Sequence, residues 1–200
     1  MADPGTADRA DGILLSVAPA AVDLPRLLRT AIDAEQVGAA RIHLAADQLE
    51  VAEAVTAIRD QTSLVITADP GSPAAELTDT PGPEFTEVVL PAGSPASELL
   101  VELAQLAESG RATSVGGRDD AAVPVLLAAL AAGLHLRVGT ADQPPTLTLS
   151  TPGLVEHPAP GGAGGPRDDI GLIARAAGLA RIAGRRPLSV TEARAVLGLA

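Results

Sequence analysis

"RATSVGGRDDAAVPVLLAALAAGLHLRVGTADQ", Arg111 to Gln143, decides the fold. "RATSVGG" reads as a short strand, "AAVPVLLAALAAG" as an apolar helix and "LHLRVG" as a second strand. In that second strand a period of two puts His135, Arg137 and Gly139 on one face and Leu134, Leu136 and Val138 on the other. The apolar face suits flanking helices, while the other face presents an imidazole and a guanidinium. A strand–helix–strand unit of this kind belongs to a parallel sheet, whose functional groups gather at the C-terminal ends of the strands. Arg137, Thr140 and Asp142 then lie at the functional end. An Arg–Asp pair there commonly fastens a strand end, so the stretch by itself leaves structural and catalytic roles open.

The same alternation runs through the rest of the chain. "GILLSVA" (12–18) reads as a buried strand. "DLPRLLRTAIDAEQVGA" follows as an amphipathic helix, with Asp23 as N-cap and Pro25 in the first turn. Strand "ARIHLAA" (40–46), helix "LEVAEAVTAIRDQ" and strand "SLVITA" (63–68) come next. A Pro/Gly/Ser-rich loop leads to strand "FTEVVLPA" (85–92), and the helix after it ends at Gly110. The pattern breaks at "QPPTLTLSTPGLVEHPAPGGAGGPRDD", a Pro/Gly-rich loop over about 143–168, read as a lid or as slack. "DIGLIARAAGLARIAG" is again an amphipathic helix. "SVTEARAVLGL" is a short one, whose Ser189 and Glu192 fit a capping box. The expected organisation is a disordered tail over 1–11 and one domain over 12–200.

Composition removes several function classes. The formal net charge is −11, and the chain has no Trp or Tyr. A phosphate backbone is repelled, and no platform exists for stacking bases, so nucleic acid is not an expected partner. With no Cys, disulfides, thiol chemistry and thiolate metal sites are excluded. The longest apolar run, 121–136, is interrupted by Pro124 and Gly133 and is short for a membrane span. The N-terminus carries no signal-peptide pattern. A cytoplasmic protein without a membrane partner is expected.

"AAGLHLRVGTADQ" resembles the Gly-x-His-x-Arg-Val-Gly-x-Glu-Asp-Asn signature of the β-keto acid cleavage enzymes, which include the 3-keto-5-aminohexanoate cleavage enzymes. "DDIGLIARAAGLARIAGRRPLSVTEARAVLGLA" is similar to that family's ending: a helix, a Gly-Arg-x-Pro turn and a Glu-Ala-Arg-x-x-Leu-Gly-Leu helix. "VGAARIHLAAD" resembles its Gly-Ala-x-x-x-His-x-His-x-x-Asp strand. The resemblance implies an α/β fold, a (β/α) TIM-barrel-like domain shortened from eight to about six β/α units. A ring that short is either small and distorted or open at an edge that a partner subunit covers. The resemblance also implies the family reaction. A β-keto acid condenses with acetyl-CoA on zinc, and retro-Claisen cleavage gives acetoacetate and a new CoA thioester. Family members assemble as homo-oligomers, so a homo-oligomer is expected.

The zinc ligands implied by the resemblance are the two His of the His-x-His strand and the signature Glu. His43 matches the first, but Ala45 and Ala141 stand at the other two, and neither can ligate. Arg137 and Asp142 match the catalytic Arg and Asp of the signature. Thr67 corresponds to a hydroxyl residue that binds substrate, as Arg137 does. With one ligand left, tight zinc binding is not expected, and metal-dependent activity is expected to be reduced or lost. A rebuilt site of His43, Asp69 and Asp142 is the one metal alternative in the sequence. The competing reading is a non-catalytic subunit that binds a small carboxylic acid or serves assembly. A metal-free enzyme with Asp142 as base ranks last, because an adjacent Arg lowers a carboxylate pKa when a base needs it raised.

Overall fold

The computed structural model describes residues 12–20, 23–45, 51–69, 71, 74–118, 121–142 and 169–199. The 1–11 tail, the 143–168 loop, Asp47 and His157 lie outside them. The elements are β1 (Gly12–Ile13), β2 (Leu15–Val17), α1 (Leu24–Val37), β3 (Arg41–Leu44), α2 (Val51–Gln61), β4 (Val65–Ala68) and β5 (Phe85–Leu90). They continue with α3 (Ala96–Glu108), β6 (Ala112–Gly117), α4 (Ala122–Ala131), β7 (His135–Val138), α5 (Asp169–Ile182), β8 (Arg186–Pro187) and α6 (Val190–Val196). A 3-10 turn, Thr140–Asp142, follows β7.

Six strands form one parallel sheet in the order β4-β3-β2-β7-β6-β5. That is the order of a barrel. β2, β3 and β4 follow one another, β5, β6 and β7 follow one another, and β7 returns to β2. The ring is open between β4 and β5, where no ladder joins the strands among the described residues. The fold is therefore a shortened, open (β/α) barrel.

The edge of β4 is blunted from within. Asp79, on the segment between β4 and β5, donates its N–H to the Ile66 carbonyl (2.7 Å), and its carboxylate accepts from the Ile66 N–H (3.3 Å). One residue thus gives both main-chain groups of Ile66 the partners a neighbouring strand would supply.

Local signals place the helices. Asp23 caps α1 through Arg26 N, and Gly38 ends it in the left-handed region. Ser189 and Glu192 make a complete capping box on α6. The expected strand over 12–18 is two strands. Leu14 turns its N–H out of the ladder to the Nδ1 of His135 (3.1 Å), and β1 pairs instead with β8.

Period two divides the core. Leu15, Val17, Ile42, Ile66, Val115 and Leu136 face outward and pack with Ala31, Val125, Ala129, Ile173 and Ala177 of α1, α4 and α5. Alanine dominates the helix side, so the helices lie close to the sheet. A second cluster joins Leu14, Ala40, Val65 and Phe85, near the strand starts, to Ala193 of α6 and Leu197 at its C-terminal end. It closes the lower end of the interior with apolar side chains. Gly139 marks the opposite end, where a Cβ would lie 1.9 Å from the Ala18 carbonyl oxygen. Only glycine lets the chain leaving β7 pass over the end of β2.

Burial, and then the Arg185 charge, lower the His135 pKa from the ordinary 6.5 to about 4. The unfolded chain therefore takes up this proton first as pH falls. The stabilisation is complete above pH 6.5, is lost as pH falls toward about 4, and changes no further below that. At about 1.4 kcal/mol per pH unit, the interval is worth on the order of 3 kcal/mol. His135→Gln keeps an acceptor for Leu14 without a titrating group. Urea unfolding from pH 7 to 4 should show a shallower loss of stability in that variant than in the natural chain; equal slopes contradict the assignment.

Candidate functional site

The upper interior is polar. A cleft of about 630 Å³ opens there, lined by Arg41, His43, Thr67, Asp69, Glu87 and Arg137, with Phe85 and Val89. These residues follow the register of the sheet. His43 sits opposite Thr67, Arg41 and Arg137 both flank Ser16, and Glu87 sits opposite Ser114. The segment between β4 and β5 supplies the remaining wall, including Asp79 and Thr80.

Arg41 is 1% exposed. A guanidinium has five N–H donors and no acceptor, and here each has a partner. Nε donates to Thr67 Oγ1 (2.8 Å). NH1 donates to Glu87 Oε1 (2.9 Å) and reaches Ser16 Oγ at 3.5 Å. NH2 donates to Glu87 Oε2 (2.5 Å) and to His43 Nδ1 (3.2 Å). Its Cζ lies 5.2 Å from the centroid of the Phe85 ring, within cation–π reach.

Because Arg41 can only donate, Nδ1 of His43 is the acceptor, and the ring proton belongs on Nε2. Nε2 lies 3.1 Å from Asp69 Oδ1, so that proton is directed at the carboxylate. Thr67 Oγ1 also lies 3.2 Å from Nδ1. Burial, with the charges of Arg137 and Arg41, lowers the His43 pKa against the opposing pull of Glu87 and Asp69, so the ring is neutral at pH 7.

Glu87 is the hub. Burial raises its pKa, but the charge and hydrogen bonds of Arg41, then the charge of Arg137, outweigh burial and hold it below the ordinary glutamate range. Arg137 NH1 stands 3.4 Å from Glu87 Oε1. Its other two nitrogens clasp Asp142, Nε to Oδ2 at 2.9 Å and NH2 to Oδ1 at 3.1 Å. Burial works against the charged form of Arg137, but Glu87 and Asp142 outweigh it and raise its pKa. The charges therefore alternate across the interior: Asp142, Arg137, Glu87, Arg41, then neutral His43 and Asp69.

The residues singled out in the sequence divide. His43, Thr67 and Arg137 line the cleft, while Asp142 does not and is 5% exposed behind Arg137. Thr67 is 1% exposed, and its hydroxyl serves Arg41 and His43. The alternative metal set of His43, Asp69 and Asp142 is not assembled. His43 meets Asp69, but Asp142 is held by Arg137. Sequence reading missed Arg41 and Glu87. Their signal was a charge at an inward position of an otherwise apolar strand, Arg41 two residues before His43 and Glu87 between Phe85 and Val89.

The sequence profile of the family described as beta-keto acid cleavage enzyme matches residues 77–199, more than half of the chain. The chain belongs to that family. No curated protein matches it. Among solved structures, it is similar to (S)-3-O-geranylgeranylglyceryl phosphate synthase from Thermoplasma acidophilum in complex with sn-glycerol-1-phosphate. That likeness has 15% identity and a TM-score of 0.44, and covers 66% of this chain and 86% of that chain. The strand order, not this likeness, establishes the architecture.

The family's zinc does not fit the residues present. Ala45, two residues beyond His43, and Ala141, beside Asp142, offer no donor atoms. The Nδ1 of His43 faces a guanidinium, and both oxygens of Glu87 are bonded to the same guanidinium. Among the described residues no group of three His, Cys, Asp or Glu is arranged to hold a metal.

Breaking the Arg41–Glu87 pair leaves an uncompensated buried charge, whereas replacing both partners does not. Glu87→Ala should cost about 3–5 kcal/mol in chemical denaturation. The double variant Arg41→Met, Glu87→Leu should be more stable than Glu87→Ala. A Glu87→Ala cost under about 1 kcal/mol contradicts the burial of the pair.

Proposed function

We propose that this protein is a metal-free member of the β-keto acid cleavage enzyme family that binds a small carboxylic or β-keto acid at Arg137. In this reading it does not carry out the zinc-dependent condensation with acetyl-CoA. The observation that carries the proposal is the state of Arg137. Two of its nitrogens are fixed by Asp142, and the third faces the cleft across 3.4 Å from Glu87, longer than a good hydrogen bond. A carboxylate entering the cleft gains a charge-assisted partner there without breaking the Asp142 clasp. Asp142 is a positioning residue, and its clasp leaves it no role as general base. Thr67 acts through Arg41 and His43. His43, neutral and with Nε2–H directed at Asp69, can offer that proton to an incoming oxygen. Among the described residues no set of His, Cys, Asp or Glu is arranged to hold a metal that would activate a keto acid, so binding is the role proposed.

A second reading, an assembly subunit, draws on one feature. Leu100 and Val101 on α3 and Val123 and Leu127 on α4 are each at least half exposed, on helices that pack side by side. No helix among the described residues is long and apolar enough to cross a membrane.

Acetoacetate is the probe. Titration monitored by NMR should move the resonances of His43 and Thr67 and give a millimolar dissociation constant. Arg137→Lys, which keeps the charge and loses the fork, should weaken binding about tenfold. Stoichiometric zinc with turnover of a β-keto acid and acetyl-CoA would overturn the proposal. A monomer by sedimentation that binds no acid would remove both readings.

A further inference from the structure

We propose that Arg41 is the resident cation of this site: its guanidinium stands where a divalent metal would bind His43 Nδ1, Glu87 Oε2 and Thr67 Oγ1. The partners of Arg41 are a ring nitrogen acting as acceptor, a carboxylate and a hydroxyl oxygen. That is the chemistry of a hard or borderline metal site. Their spacing agrees. Glu87 Oε2 lies 3.7 Å and Thr67 Oγ1 3.2 Å from His43 Nδ1. Neighbouring donors around zinc at about 2.1 Å are separated by about 3.4 Å in a tetrahedral site.

The far side of the imidazole agrees as well. A ligating histidine donates its other ring N–H to a carboxylate or carbonyl, which fixes the tautomer. His43 does this with Nε2 and Asp69. The donor atom turned inward is therefore already oriented and unprotonated. What it meets is Arg41 NH2, 3.2 Å away. A guanidinium keeps its charge in proteins. The chain thus carries a positive charge at this point permanently, and the same charge keeps metal ions out.

The inference rests on the metal-free reading above, and zinc alone tests it. Isothermal titration of the natural chain should show no zinc dependent on His43. Arg41→Ala removes the guanidinium and opens the three donors, and it should bind one zinc per chain where the natural chain binds none through His43. The double variant Arg41→Ala, His43→Ala should lose that binding. Arg41→Ala leaves Glu87 buried and unpaired and can unfold the chain. In that case zinc should restore the folded circular-dichroism spectrum, because metal binding couples to folding, and the double variant should not respond. A folded Arg41→Ala that takes up no zinc overturns the inference, as does an unfolded one that zinc does not rescue. The outcomes separate the two proposals. Zinc bound to the natural chain through His43 removes both. Acid binding by the natural chain, with no zinc uptake by Arg41→Ala, removes only this one.

Discussion

A guanidinium buried inside a barrel must find an acceptor for every N–H, and the interior of this protein is organised around meeting that demand for Arg41. Its partners come from β2, β3, β4 and β5. Glu87 is the decisive one, because it stands on the far side of the break in the ring. β3 and β5 share no ladder, yet the Arg41–Glu87 pair joins them through the interior. Arg137 extends the tie to β7. A shortened barrel without a β4–β5 ladder is therefore cross-braced by charge, while outward-facing aliphatic side chains hold the helices. Such a pair adds little net stability against an apolar replacement. What it supplies is a fixed relation between the two halves of the sheet and a polar cleft between them.

The open edge and the polar interior are linked consequences of the shortening. A barrel lacking two β/α units must leave a gap, and this gap becomes one wall of the cleft through the segment that ends at β5. Asp79 satisfies the exposed main chain of β4, so the edge does not need another strand at Ile66. Below, α6 seals the strand starts with Ala193 and Leu197. Arg185 donates to the Gly12, Gly133 and Leu134 carbonyls and pins the C-terminal turn to the same end. The apolar end is closed and the polar end accessible, which is the polarity expected of parallel α/β barrels.

Much of this was legible in the sequence. Period two in "LHLRVG" separated the inner from the outer face of β7, and Asp23, Gly110 and the Ser189–Glu192 box marked helix ends because caps are local chemistry. The division of the first strand at Leu14 was not legible, since its cause is His135, far away in the chain. Asp142 looked like a catalytic carboxylate in the linear sequence, and only the three-dimensional clasp shows that both its oxygens are occupied. The pairing of Arg41 with Glu87 was not legible for the same reason. Each is a single charge in a short apolar strand, and their pairing across the barrel depends on where the ring opens.

The account turns on which atom of His43 faces Arg41. With the imidazole labelled, nitrogen-15 NMR at neutral pH distinguishes a bare ring nitrogen from a protonated one. Nδ1 should be unprotonated and Nε2 protonated, with neither signal changed by equimolar zinc. A protonated Nδ1, or an Nδ1 signal shifted by zinc, would contradict it.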